Sequence, residues 1–495
     1  MQKSRARSRS REHQESSADG KVPPCPVRAG GTRFPGKDVF SRSGPSSVPF
    51  LSETPVFLLI FAFFGVYLLN NVFFITFSEQ KVFTMRTAQI IRRFAFSEWG
   101  GTESVVWNTA RTLQKKGNPS EIFATRALSP VQDEVKNEIQ IHRFDYKYPY
   151  FPLSKEKIRI LDKKGGNPVV PGLRKALKNG EFDILHCHTM GRMAAETRAA
   201  AKRLHVPYVM TLHGGYFDVP PAEIKQMVKP LKGTFPYGNI RDRLLGRRID
   251  ALKLANGIVC VGENELQPAK DHFPGKLIIH LPNGVNYDYF HDYSGSDFRR
   301  QVGIRPDRKI LLCVSRIDYQ KNQLMLPEVL ALLGEPWHLV FIGAPTAEWY
   351  VDKLREKVRL MNLTERVTMI NGVPPDSALL PAAYHAASAF LLPSIHEPFG
   401  IVVLEAWSAG TPVIVSQVGG LRTLVRDGET GFFAPTEGAP DEWAALIRKL
   451  DEDADLRGRI TEAADAEVRE HYSWDIITDR LMDFYQEVQR VYRRR

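Results

Sequence analysis

From Thr87 onward, short apolar runs alternate with segments whose apolar residues recur every three or four positions. A short apolar run bounded by polar or glycine-rich positions reads as a strand buried on both faces. The 3.6-residue recurrence reads as a helix packed against it. Thr87–Ile91 is the first strand of this kind, followed by SEWGGTES and a helix with Val105, Val106, Thr109 and Leu113 on one face. FDILHCHT at 182–189, VPYVMTLHGG at 206–215, IVCVGENE at 258–265 and KLIIHLPNGV at 276–285 add further strands, with a helix over Met193–Arg203 between the first two. Such alternation predicts a parallel α/β sheet.

The segment SGSDFRRQVGI at 294–304 reads as a linker, after which the pattern restarts. KILLCVS at 309–315, HLVFIGA at 338–344, VTMINGV at 367–373, SAFLLPS at 388–394 and the PVIVS run after Thr411 are its strands. Pro398 suits a first helical position, and a helix is expected from there to about Ala409, ended by Gly410. Two sheets in one chain of 495 residues agree with a length that one core seldom serves. The expected organisation is two Rossmann-like domains, 85–295 and 305–475, with a last helix over 476–495.

Composition is that of an ordinary globular protein, with 43% hydrophobic and 25% charged residues. The net charge of +11 is uneven: residues 1–84 supply +5 and the other 411 residues +6. The modest remainder fits anionic ligands or a membrane surface. There is no basic stripe with interleaved aromatics, no zinc-finger spacing and no arginine-rich helix, so nucleic acid is not an expected partner. Cys25, Cys187, Cys260 and Cys313 are far apart and form no CxxC pair, which reads as free thiols in a reducing, cytoplasmic setting.

Residues 1–84 stand apart. They open with RSRSRE and scattered Pro, Gly and Ser, the composition of a disordered basic tail. An apolar run from Val56 to Phe77 is long enough to span a bilayer. Two readings are open: a single-pass anchor with the remainder at the inner face of a membrane, or a chain that properly starts at Met85. Arg33, Lys37 and Arg42 before the run favour an inside N-terminus, which would place the remainder outside.

Candidate chemistry collects where strands end. A strand, Gly100–Gly101 and a helix start form an anion-binding arrangement, because helix N–H groups point at the ligand and glycine permits close approach. His188 and His213 both fall at strand ends, where ligands bind in parallel α/β sheets. His186 and His188 alternate onto one strand face, but no acidic or cysteine partner completes a metal site. Arg316 and Lys321 lie in the turn after a strand, where two cations can neutralise a diphosphate. Glu397 and Glu405 are eight residues apart, roughly 12 Å at the helical rise. Hydrolytic carboxylate pairs work across about 5–9.5 Å, so this spacing suits the two ends of one ligand, sugar hydroxyls and ribose hydroxyls, better than acid–base hydrolysis. The segment 216–250 is aromatic and proline-rich, then basic, with Lys225, Lys229, Lys232, Arg241, Arg243, Arg247 and Arg248. It reads as a solvated surface or as an acceptor or membrane-surface contact. Asp451-Glu452-Asp453 has the form of a metal motif but lies in a polar helix and reads as surface.

At these residues the chain resembles the retaining, GT-B-fold glycosyltransferases of family 4, also called glycosyl transferases group 1. The carrying motifs are Glu397–Glu405 with Phe399-Gly400-Ile401 between them, Arg316 with Lys321, Gly100-Gly101-Thr102-Glu103, His213-Gly214 and Leu281-Pro282-Asn283-Gly284-Val285. The resemblance covers Met85 to the C-terminus and implies α/β architecture with two facing Rossmann-like domains and a C-terminal crossover helix. It implies transfer of a sugar, with retention of configuration and no bound metal or cofactor, from a UDP-, GDP- or ADP-sugar to a glycan, lipid-linked or small-molecule acceptor, as in polysaccharide biosynthesis. Glu397, with the backbone of Phe399, Gly400 and Ile401, would meet the donor sugar. Glu405 would bind ribose, Arg316 and Lys321 the diphosphate, and Gly100, Gly101 and Thr102 would close over the phosphates. His213 would sit beside the reacting sugar. Thr423 and Gly262 depart from the family's usual Glu and Ser. Rival expectations are a GT-B epimerase or phosphorylase, and a sugar-nucleotide-binding protein without catalysis.

Overall fold

The first apolar runs become the inner strands of an eight-stranded sheet. In chain order its strands are β1 (Thr87–Arg93), β2 (Ser120–Thr125), β3 (Asp133–Lys136), β4 (Ile139–Phe144), β5 (Ile184–Cys187), β6 (Tyr208–Leu212), β7 (Gly257–Cys260) and β8 (Leu277–His280). Across the sheet the order is β8-β7-β6-β5-β1-β2-β4-β3, parallel except for the β3 edge. The residues of β5, β6 and β7 are all buried, which is why they read as unbroken apolar runs. A six-stranded parallel sheet comes after it in the chain, from β9 (Lys309–Val314), β10 (Trp337–Ile342), β11 (Val367–Ile370), β12 (Ala387–Leu392), β13 (Val413–Ser416) and β14 (Phe432–Ala434), in the order β11-β10-β9-β12-β13-β14.

The structure is a computed structural model that describes residues 67–69, 72–74 and 84–494, apart from 98, 215, 218–227, 245–249, 296 and 375. Most of the apolar run 56–77 and all of the basic tail lie outside the described residues. Within that run, Tyr67–Leu69 and Val72–Phe74 pair as an antiparallel hairpin. Among the described residues no helix is long and apolar enough to cross a membrane.

Five helices flank the candidate loops or pack beside them: α1 (Gly101–Lys115), α2 (Arg192–Leu204), α3 (Tyr237–Leu244), α4 (Ile401–Ser408) and α5 (Trp474–Arg493). The last has a buried stripe, Ile477, Leu481, Phe484, Tyr485 and Val488, at helical spacing. That stripe closes a core with Met85, Val105, Ile184, Val209 and Val259, so the C-terminal helix is part of the first sheet's packing. Gly284 is needed there, since a Cβ would lie 2.7 Å from the Trp474 ring.

Two expectations are corrected. The supposed linker at 294–304 contains a short helix, Phe298–Val302, whose Phe298 is buried in the core of the second half. Its one large apolar residue is what anchors it. The helix expected to start at Pro398 starts at Ile401 instead.

In each sheet the strand order reverses direction at one place: between β5 and β1 in the first, between β9 and β12 in the second. Connections leave such a point toward opposite faces, which opens a crevice at the carboxyl ends of the strands. The loops after β1 and β5 carry Gly100–Gly101 and His188. Those after β9 and β12 carry Arg316, Lys321 and Glu397. All the candidate loops thus fall at or beside the two crevices.

Candidate active site

The loop after β9 turns through Asp318, whose carboxylate accepts from Gln320 N at 3.0 Å and from Thr346 Oγ1 at 2.8 Å. Arg316 lies against the same carboxylate at 3.3 Å and stays partly exposed. Lys321, at the end of this turn, donates to Glu397 Oε2 at 2.6 Å, and both side chains are nearly buried. Ile395 N donates to Gln320 O at 2.8 Å and so joins the two loops. Arg316 and Lys321 were both expected as diphosphate cations. The structure couples the second to Glu397 instead of leaving it beside Arg316.

The segment 397–400 is irregular for a definable reason. Gly419 and Gly420 press their backbone onto it, and Gly420 N donates to Glu397 O at 2.9 Å. A Cβ on Gly419 would lie 2.2 Å from Glu397 O, and one on Gly420 would lie 2.2 Å from Pro398 O. Gly400 then takes φ +102° as it enters α4, a region that disfavours side chains. Because residues 397–400 are not helical, the roughly 12 Å helical spacing inferred for Glu397 and Glu405 does not apply. Phe399 is buried in the core of the second half. Glu405, inside α4, accepts from Tyr384 Oη at 2.7 Å, and burial pushes its carboxyl up to about 7.

Loops from the first half meet this segment. An added Cβ on Gly101 would touch Ile401 at 3.9 Å, and one on Gly262 would lie 3.4 Å from Pro398 O. Thr102 lies in the first turn of α1, whose Gly100 cap brings no side-chain oxygen to the free N–H groups. Glu103 is instead turned to Arg93, at 2.8 Å. Gly214 is the tightest contact: with φ +77°, a Cβ would fall 2.2 Å from Pro398 Cβ. Gly214→Ala should therefore wedge the two halves apart and lower turnover about ten-fold or more, since sub-ångström fit governs transfer. Unchanged steady-state kinetics in that variant would show that the contact is dispensable.

His213 is held by a chain of rings. Gln89 Nε2 donates toward Thr87 Oγ1 at 3.2 Å, which turns Gln89 Oε1 to accept from His188 Nε2 at 2.9 Å. His188 Nδ1 must then accept from His213 Nε2 at 3.0 Å. His213 Nδ1 is left as an acceptor, and burial lowers the imidazole pKa to about 4, so the ring is neutral near pH 7. The buried Glu265 carboxylate accepts from Gly214 N at 3.2 Å and Tyr216 N at 3.4 Å, fixing the loop that carries His213. His186 shares the strand face of His188, with ring centroids 4.2 Å apart, and its own nitrogens meet Tyr485 Oη and Thr211 Oγ1, each at 2.6 Å. Gln89, Glu265 and Tyr384 escape a reading of the sequence because each lies far along the chain from the group it orients. Asp451 pairs with Lys309 at 2.6 Å and Asp453 caps a helix, both away from these loops.

Residues 99–289 match the family described as Glycosyltransferase Family 4, and residues 295–467 match Glycosyl transferases group 1. D-inositol 3-phosphate glycosyltransferase of Mycobacterium marinum is 33% identical over 404 residues, 78% of this chain and 81% of the relative. An uncharacterized glycosyltransferase of Methanocaldococcus jannaschii is 32% identical over 317 residues, 62% of this chain and 75% of the relative. Among solved structures, Anabaena HepE in complex with UDP and glucose aligns with a TM-score of 0.61 at 20% identity, over 81% of this chain and 100% of its own. The catalytic domain of Starch Synthase IV from Arabidopsis thaliana, bound to ADP and acarbose, aligns with a TM-score of 0.60 at 17% identity, over 82% and 99%. With both halves matched and the two-sheet fold shared, the chain belongs to the family-4, group 1 glycosyltransferases, retaining enzymes of GT-B fold that transfer sugar from nucleotide-sugar donors.

Proposed function

We propose that this enzyme moves a hexosyl group from a UDP-, GDP- or ADP-sugar to a hydroxyl of a glycan, lipid-linked or small-molecule acceptor, on the cytoplasmic side and without a bound metal. The observation that carries this is the nearly buried Lys321–Glu397 pair at the crevice of the second sheet, opposite Gly101 and Gly214 of the first. A cation and a carboxylate held 2.6 Å apart suit adjoining parts of one donor, phosphate and sugar hydroxyl.

Lys321 and Arg316 neutralise the diphosphate, and the free N–H groups at the start of α1, around Gly100, Gly101 and Thr102, close on it. Glu397 and the backbone of Phe399, Gly400 and Ile401 orient the sugar, and Glu405 takes the ribose. The bond from the anomeric carbon to phosphate breaks with its electron pair on the phosphate oxygen. The acceptor oxygen bonds to the same face of that carbon, and its proton passes to the departing phosphate. His213, neutral and with Nδ1 unpartnered among the described residues, supplies a hydrogen-bond acceptor at this face rather than a charge. Cation-assisted departure by Arg316 and Lys321 supports a metal-independent reaction.

The test is a panel of UDP-, GDP- and ADP-sugars, read by protection against heat unfolding and by slow donor cleavage, with and without chelator. Inositol phosphate belongs among the acceptors because the Mycobacterium marinum relative is named for it. One donor should stabilise the protein and be cleaved equally well in chelator. Complete loss in chelator would overturn metal independence. Protection without any cleavage or transfer, across donors and acceptors, would favour a binding protein, and conversion of the sugar within the nucleotide an epimerase.

A further inference from the structure

Helix α3 is built inside out. A surface helix ordinarily buries its apolar stripe and exposes its charges. Here Tyr237, Ile240 and Leu244, spaced on one face, are 42%, 51% and 82% exposed, while Asp242 is 1% exposed. The inversion is fixed by polar contacts. Arg192, the first residue of α2 and itself buried, donates to Asp242 Oδ2 at 2.5 Å and to Asn239 Oδ1 at 2.9 Å. Gly238 lies so close to Pro149 that a Cβ would fall 2.4 Å from its ring. Removing water from a buried ion pair is costly unless it is well bonded, so this side cannot readily exchange with the apolar one.

Phe151 and Phe235 extend the apolar surface. Their backbones pair antiparallel, at 3.0 and 2.6 Å, and both side chains are more than half exposed. Cations accompany them: Lys155, Lys157, Lys229, Lys232, Arg241 and Arg243. Lys157 Nζ reaches Lys232 O at 3.2 Å, which places the two stretches side by side. Among the described residues none of these six is within ion-pair range of a carboxylate. The acidic residues of the same stretches are Glu156, on the surface, and the buried Asp242.

We propose that residues 151–157 and 228–244 form a docking surface for an anionic lipid membrane. Exposed aromatic and aliphatic side chains among unpaired Lys and Arg are the composition that enters a headgroup region. A second copy of this chain is a poor occupant, because an isologous contact would set these cations against their own copies. Arg192 follows the loop of His188, so the surface is anchored at the carboxyl edge of the first sheet, the edge that bears His213. Docking would bring the cleft to acceptors held in the lipid. That last step rests on the proposed transferase reading, whereas membrane docking does not.

The experiment uses the full chain with Cys25→Ser, which leaves the buried thiols Cys187, Cys260 and Cys313, and with Leu244→Cys carrying an environment-sensitive fluorophore. Vesicles of phosphatidylcholine alone, or with phosphatidylglycerol, are added at low and high salt. The expected result is a blue-shifted emission with the anionic vesicles only, reversed by salt. Arg241→Glu with Arg243→Glu should weaken it roughly ten-fold or more. No shift overturns the proposal, as does a shift that ignores lipid charge. A shift that grows with protein concentration in the absence of vesicles would assign the surface to self-association and also overturn it. Heat protection by nucleotide sugar, measured on the same preparation, reports separately on the donor site.

Discussion

Lys321→Ala should lower turnover about 10²- to 10³-fold, the range seen when one fixed stabiliser of developing charge is removed. The departing diphosphate gains negative charge as the sugar leaves, and Lys321 is held within the crevice at 2.6 Å from Glu397, not left to find the phosphate from solvent. The variant also strands Glu397, whose carboxylate is nearly buried, so a loss of about 1–3 kcal/mol of stability should accompany the rate effect. Heat unfolding of the variant separates the two: a folded variant with the expected rate loss supports the assignment. Glu397→Ala should reduce turnover to a similar degree, because Lys321 then loses the group that positions it. The double variant is the sharper measurement. Residues in direct contact do not act additively, so it should be little worse than the more damaging single change. Full multiplication of the two losses would mean that the pair works as two independent groups. Near-parental turnover in purified Lys321→Ala would remove the site from this crevice altogether.

What the sequence discloses, and what it withholds, divide along physical lines. Strands such as Ile310–Val314 and Phe390–Leu392 are buried on both faces, so their unbroken apolar runs are readable without partners. Ser120–Thr125 and Ile139–Phe144 give a weaker signal: the first has only Ile122, Phe123 and Ala124 as an apolar run between polar ends, and polar residues interrupt the second. Phe298 hides among Gly, Ser and Arg, and one buried ring is too little pattern to announce a helix. At the site, residue types are legible but their pairings are not. Arg316 and Lys321 share a turn and look alike in the sequence, yet the fold gives Arg316 to Asp318 and Lys321 to Glu397. The start of α4 is misplaced because Pro398 is a good opening residue locally. The deciding contact, Gly419–Gly420 against Glu397 and Pro398, comes from a loop well downstream in the chain. The tautomer of His213 depends on Gln89 and His188, supplied by two other strand regions, and its neutral state on burial. Local propensity and periodicity specify elements, whereas protonation and coupling arise only where distant loops meet.

Glu405→Gln should make the protein more stable above neutral pH and a weaker binder of its donor. Burial raises the Glu405 carboxyl from 4.5 to about 7, despite the hydrogen bond from Tyr384 Oη that favours the charged form. Between those values the folded protein holds a proton that the unfolded chain has released. Stability from this group is therefore lost as pH rises through that window, by up to about 3 kcal/mol once it is fully ionised. The amide carries no such cost. His186 and His213, lowered to about 3 and 4, act in the opposite sense: the unfolded chain takes up protons below 6.5, so their contribution is lost as pH falls. Comparing Glu405→Gln with the parent cancels the histidine contributions and isolates the carboxyl. A ribose hydroxyl is best accepted by the ionised carboxylate, whose Oε1 has no partner among the described residues. Donor dissociation constants should then rise about ten-fold per pH unit below 7 in the parent and stay flat in the variant. At pH 8 the variant should bind roughly ten- to a hundred-fold more weakly, the worth of a hydrogen bond to a charged group. Parallel pH dependence in the two proteins would take Glu405 out of donor binding. A gain in stability without loss of affinity would leave its burial as a fault of packing with no return in function.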